Sequence, residues 1–256
     1  MTVPLIALKQ ASAPGISDWT WELKPGELHV LAMDRGEGWA AVSDLLLGRR
    51  RPLAGGIVWP ALEAEGAAHQ PFCRIEHVPF ASQSRAFSTG DYFLGQRYHA
   101  GWADEGPRVG EFIGTADEFL VEALELRPLL DRSLISLSSG QMRRARLARA
   151  LGCHPMAVIL EDPLAGMDAG RRVKAAQLML GLCAGGLAAV VLAARQDDFS
   201  GPAKRLTLSG DRFIQGHPVE HSGAQAGTQG REMAESGAEA VLEFNKVGVR
   251  YGTNFI

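Results

Sequence analysis

The sequence predicts an α/β sheet with helical covers, on two observations. Short apolar runs of strand length alternate with stretches of helical periodicity, and the first compact strand passes through a glycine loop straight into a helix. Leu5 to Lys9 and Trp19 to Leu23 read as short strands, the second with Trp19, Trp21 and Leu23 on one side. Pro25-Gly26 turns the chain into the strand Leu28 to Met33, which ends at Asp34-Arg35 and a Gly36-Glu37-Gly38 loop. The helix that follows carries Trp39, Val42, Leu45 and Leu46 and stops at Gly48, before an Arg49-Arg50-Arg51-Pro52 corner. This order of elements suits a phosphate site, because helix-start amides point at the loop.

The middle, Ala61 to about Gly114, reads as irregular around a strand Ile75 to Phe80. Phe112 to Leu126 has helical periodicity and predicts a helical lobe. Gln141 to Leu151 is a helix with Arg143, Arg144, Arg146 and Arg149 among its apolar residues. A buried strand Ala157 to Leu160 then ends in Glu161-Asp162-Pro163, followed by a helix from about Arg171 to Leu182 and a strand Leu187 to Ala193. Beyond Ile214 the texture changes, and Ser222 to Ala238 has too little apolar material for a core and reads as a linker. A strand pattern returns in Val241 to Phe244 and Val247 to Tyr251, which either packs on the main domain or begins another.

Composition bounds the function. The chain has 256 residues, 26 Lys plus Arg against 29 Asp plus Glu, and a formal charge of -3. This length fits one domain of roughly 150 residues with room for a second piece. The near-neutral balance gives no general pull toward nucleic acid, which is not expected as a partner. Three cysteines, none in a CxxC pair, exclude a disulfide framework and suit a reducing compartment. With no basic stretch ahead of a long apolar core in MTVPLIALKQ, the expected location is the cytoplasm. Leu178 to Ala194 holds 17 residues without a charge, but its glycines favour a helix end, a turn and a buried strand over a membrane span. The seven histidines have no metal-ligand spacing and read as solvated or structural.

The short motifs together resemble the nucleotide-binding domain of ABC ATPases. Leu137-Ser138-Ser139-Gly140-Gln141 is similar to the signature LSGGQ, with Arg144 and Arg149 where the family carries arginines. Glu161-Asp162-Pro163 resembles the Walker B ending with its two acids exchanged, and Gly166-Met167-Asp168 resembles the D-loop. The resemblance implies a P-loop NTPase-like domain over residues 1–221, with an antiparallel N-terminal part, a helical signature subdomain over about 85–150, a linker 222–238 and, in 239–256, the start of a second such domain or a C-terminal tail. The lead-in Leu129-Leu130-Asp131-Arg132 and the tail are similar to the tandem ABC proteins associated with molybdate transport and photorepair. In the tail, Tyr251 falls where an adenine-stacking aromatic would lie.

Laid on this family pattern, the chain's own ATP site is depleted. The GxxGxGK[ST] phosphate loop puts Met33 at the first glycine, Gly36 and Gly38 at the next two, Trp39 at the lysine and Ala40 at the magnesium-binding hydroxyl. Glu161 takes the Walker B aspartate position. Asp162 takes that of the catalytic glutamate, with ~1.5 Å less reach toward an attacking water. Ala194 falls at the switch histidine, Gln83 is the Q-loop choice, and no aromatic precedes Trp19 to serve as the A-loop; Trp19 and Trp21 read as core. By contrast, Ser138, Gly140 and Gln141 keep a hydroxyl, flexible amides and a helix N-terminus for a γ-phosphate. A helix cap explains the same residues. The resemblance thus implies ATP and Mg2+ at a shared site supplied mainly by a partner ABC-type domain, downstream in the chain or separate, with Asp168 coupling the two sites and membrane subunits, if any, separate. A scaffold without catalysis is the alternative.

Overall fold

The computed structural model describes residues 2–64, 66, 70–80, 107–195, 199 and 201–215. Two sheets share a core. An antiparallel sheet holds β1 (Ile6–Ala13), β2 (Ile16–Leu23) and β4 (Ala54–Val58) in the order β2-β1-β4. A six-stranded sheet holds β3 (Leu28–Ala32), β5 (Ile75–Val78), β6 (Ala157–Glu161), β7 (Ala188–Ala193), β8 (Lys204–Ser209) and β9 (Arg212–Gln215) in the order β5-β6-β7-β3-β8-β9. All its pairings are parallel except the β8-β9 hairpin. The central strands β3, β6 and β7 are buried along their whole length, as parallel strands covered on both faces must be.

Side-chain alternation divides that burial between two core layers. Val158 and Leu160 face a layer shared with the helices α3 (Val109–Ile113), α4 (Glu118–Ala123), α5 (Ser139–Gly152) and α6 (Ala169–Ala184). Ala157 and Ile159 face a second layer under the antiparallel sheet and α1 (Glu37–Leu46). Trp19 and Trp21 belong to this second layer, stacked with centroids 5.2 Å apart, as expected of core residues. The uncharged run from Leu178 resolves into the end of α6, a turn at Gly185 and Gly186, and β7. Among the described residues no helix is long and apolar enough to cross a membrane.

Three elements differ from the sequence reading. β4 escaped notice because Gly55 and Gly56 weaken any strand pattern. Gly55 has φ +71°, and a Cβ there would stand 2.1 Å from the Gln10 carbonyl oxygen, so the glycine permits β4 to approach the irregular stretch of β1. The helix expected over 112–126 is two shorter ones. Gly114 ends α3 in a left-handed conformation, and Asp117 starts α4 by accepting a 2.9 Å hydrogen bond from the Leu120 amide. The hairpin of β8 and β9 turns at Gly210 and was not anticipated. Gln83, the linker over 222–238 and the tail over 239–256 lie outside the described residues.

Candidate nucleotide and signature sites

β3 delivers the glycine loop from the centre of the sheet, where the Met33 amide still donates to the Ala193 carbonyl at 3.0 Å. Gly36, with φ +134°, begins α1. The strand, loop and helix expected of a phosphate site are therefore present, and a cavity of about 860 Å³ opens beside them, lined by Gly36, Trp39, Ala40, Ser43, Phe80 and Glu161. A Cβ on Gly38 would meet the Met33 terminal methyl at 2.8 Å, which places that methyl against the loop backbone. Trp39, 3% exposed, turns inward and donates from Nε1 to the Met33 carbonyl at 3.1 Å. Its ring meets Phe80 edge to face at 5.9 Å. Ala40 is exposed on the next turn and carries no oxygen for a metal.

The two carboxylates at the end of β6, Glu161 and Asp162, are engaged by protein groups. Burial by itself raises the Glu161 carboxyl pKa, but hydrogen bonds hold it below the usual carboxylate range. These come from His77 at 2.9 Å, the Phe80 amide at 2.8 Å and the Ser43 hydroxyl at 2.9 Å. Asp162 is 3% exposed and left-handed at φ +44°, a costly conformation for a non-glycine residue. Its carboxylate pairs with the Arg35 guanidinium, and its carbonyl accepts from Arg143 at 2.6 Å. Arg35 also lies over the Phe80 ring at 4.9 Å, and Arg143 lies over it at 4.8 Å. Arg35, Ser43, His77, Phe80 and Arg143 are thus site residues that the sequence reading missed. The available signal was the carboxylate pair, since buried acids need partners and β5 is the neighbour of β6.

Among the described histidines, His77 hydrogen-bonds Glu161 at 2.9 Å, a contact the solvated or structural reading allows. His29 fits it: buried in β3, it accepts from Trp21 Nε1 at 2.8 Å, and burial outweighs Glu27 to push its pKa down to about 4. The arginine face of α5 is less solvated than its sequence implied. Arg144 is buried and donates to the Leu124 carbonyl at 2.7 Å, and burial lowers the pKa of Arg143, Arg144 and Arg146. A cavity of about 860 Å³ opens where the β1–β2 turn at Pro14 and Gly15 faces Met33, Arg35 and Ala194. Among the described residues no aromatic side chain lines it, and Ala194 brings no imidazole.

The segment read as a signature, residues 137–141, leads into the start of α5. Ser138 and Ser139 are exposed, and Leu137 packs on the helical core. Ser138 and Gln141 form a reciprocal capping box: the Ser138 hydroxyl accepts from the Gln141 amide at 3.3 Å and the Gln141 side chain accepts from the Ser138 amide at 2.9 Å. Gly140 is buried, and a Cβ there would stand 2.5 Å from the Gly166 carbonyl oxygen. Its glycine is needed for this close approach, which joins the start of α5 to the backbone at Gly166. Asp168 caps α6 through the Arg171 amide at 3.0 Å and remains largely exposed. Among the described residues no cluster of His, Cys, Asp or Glu is arranged to hold a metal ion.

This arrangement of parallel sheet, antiparallel N-terminal sheet and helical lobe is shared with solved structures. An ATP-binding cassette of an ABC transporter superposes with TM-score 0.60 at 16% identity, covering 83% of this chain and 90% of that one. A subunit of the cbiONQ transporter complex from Clostridium perfringens gives 0.60 at 17% identity, covering 83% and 88%. No protein-family model matches the chain. Among curated proteins, the galactofuranose transporter ATP-binding protein YtfR of Escherichia coli is 25% identical over 217 residues, 82% of this chain and 43% of that protein. The zinc import ATP-binding protein ZnuC of Halorhodospira halophila is 29% identical over 188 residues, covering 70% and 62%. The nickel import ATP-binding protein NikE of Pseudomonas putida is 26% identical over 221 residues, covering 83% and 80%. The chain thus shares the fold of ATP-binding cassettes of ABC transporters and is similar in sequence to transporter ATP-binding proteins. The chain spans less than half the length of the first of these relatives.

Proposed function

We propose that this domain has lost its own ATP site and contributes Leu137 to Gln141 to ATP binding and hydrolysis at a site whose lysine, magnesium ligands and general base belong to a partner ABC-type domain. The observation that supports this reading is the buried Trp39 indole: at the position that the family pattern gives to lysine, it donates to the Met33 carbonyl, and the Met33 methyl lies against Gly38. A phosphate bound there would also lack the charge-assisted contact that lysine supplies, worth about 1.5–3 kcal/mol. The exposed Ser138 and Ser139 at the start of α5 offer a hydroxyl and a positive helix end to a partner's γ-phosphate. Asp168 at the D-loop would couple the two sites.

The partner is a second ABC-type domain, either downstream after a linker over 222–238 or on a separate subunit. The lead-in Leu129-Leu130-Asp131-Arg132 and the tail motif favour the first half of a tandem protein of the molybdate and photorepair type. The relatives are named for transport of galactofuranose, zinc and nickel, which makes transport-coupled ATP use the favoured process, with membrane subunits supplied separately. The capping box favours a second reading, a scaffold without catalysis, because Ser138 and Gln141 already satisfy one another. The two readings separate on one substitution. In an assembly reconstituted with an intact partner domain, Ser138→Arg is expected to abolish ATP hydrolysis; an unchanged rate means the domain is a scaffold.

A further inference from the structure

The buried Trp39 indole raises the question of what orients the signature helix. A continuous set of contacts runs from the loop to that helix. Arg35, in the loop, pairs with the Asp162 carboxylate and lies over Phe80 at the end of β5. Arg143, one turn into α5 from Ser139, lies over the same ring and donates to the Asp162 carbonyl at 2.6 Å and the Glu161 carbonyl at 3.4 Å. The Phe80 amide closes the set by donating to Glu161 at 2.8 Å. Two guanidinium groups thus share one ring and one residue, Asp162, whose left-handed backbone is fixed through both its carbonyl and its carboxylate.

We infer that Arg35, Phe80 and Arg143 are positioning residues that hold the signature helix against the sheet, linking the phosphate loop to α5 through side-chain contacts alone. The inference rests on the reading that the signature serves a partner's ATP. Its physical content is local to this chain: the orientation of residues 137–143 is set by side-chain contacts that exist without ligand, so the signature is presented constantly. Arg171, Lys174 and Arg144 around Glu125 tie α6 to the far end of the helical lobe, but none of them reaches the phosphate loop.

Hydrogen exchange read by mass spectrometry on the full chain tests this, with Arg35→Met, Phe80→Leu and Arg143→Met, which keep apolar bulk. Each variant is expected to exchange the amides of 139–143 about tenfold faster while β6 and β7 stay as protected as in the parent. The Arg35→Met/Arg143→Met double variant should exceed neither single by much, because the contacts form one network. Saturating ATP with magnesium should leave the parent's exchange at 139–143 unchanged. Parent-like exchange in the single variants, or protection of 139–143 that rises with ATP and magnesium, overturns the inference. In the reconstituted assembly Arg143→Met should lower kcat about tenfold with KM for ATP nearly constant. If Ser138→Arg abolishes hydrolysis and Arg143→Met changes nothing, the positioning role fails while the donor reading stands. If Ser138→Arg changes nothing, the donor reading fails and the exchange experiment still decides the positioning role.

Discussion

Installing the missing phosphate lysine by itself, as Trp39→Lys, should cost stability and restore no ATP binding. The indole is 3% exposed, donates a hydrogen bond to Met33 and meets Phe80 edge to face. Truncating a buried tryptophan costs about 3–5 kcal/mol, a figure that already contains the lost hydrogen bond and ring contact. A lysine stem recovers about 1 kcal/mol of that through its methylenes. Its ammonium, however, enters a buried position near the Arg35 guanidinium, with the Met33 methyl still against the loop backbone. The net loss expected is therefore at least about 2–4 kcal/mol, before the added cost of burying the ammonium. Urea unfolding followed by circular dichroism measures it as a fall in midpoint at constant slope. Titration calorimetry with ATP and magnesium should register no micromolar site in either protein. A Trp39→Lys chain as stable as the parent that binds ATP at micromolar concentration would refute the claim that Trp39 is a packing residue.

Two further outcomes follow from the same geometry. Gly140→Ala should destabilise by about 1–3 kcal/mol despite alanine's better helix propensity, because the added methyl meets the Gly166 carbonyl oxygen at 2.5 Å; a stabilised variant in urea unfolding would show that the signature and D-loop backbones are not in close contact. Stability should also fall with acid through His29. Its folded pKa of about 4 lies below the ordinary 6.5, so the unfolded chain takes up the proton first. The contribution is complete above pH 6.5 and is lost as pH falls to about 4, amounting to about 3 kcal/mol. His29→Gln should flatten that part of the pH profile, and an unaltered profile would assign the loss to other groups.

Much of the sheet was legible because its strands are short, apolar and bounded by turn residues; β3, β6 and β7 were placed to within a residue or so. β4 was not, since its glycines answer to a close approach by Gln10, a residue more than 40 positions away in the chain. The residues that the family pattern sets at its lysine, hydroxyl and histidine positions, Trp39, Ala40 and Ala194, are identities of the sequence. Their surroundings are not. Periodicity gave Trp39 an apolar face, yet only the fold brings its indole under the Met33 carbonyl and beside Phe80.

The sequence by itself determined which residue types stand at each position, Trp39 and Ala194 among them, because that needs no fold. The tertiary structure alone decided which of them meet. Arg35, Phe80, Arg143 and Asp162 come from four separate stretches of chain, and no local pattern links them. They meet because parallel strands β5, β6 and β3 deliver their carboxyl ends to the same edge of the sheet, where buried carboxylates must find partners.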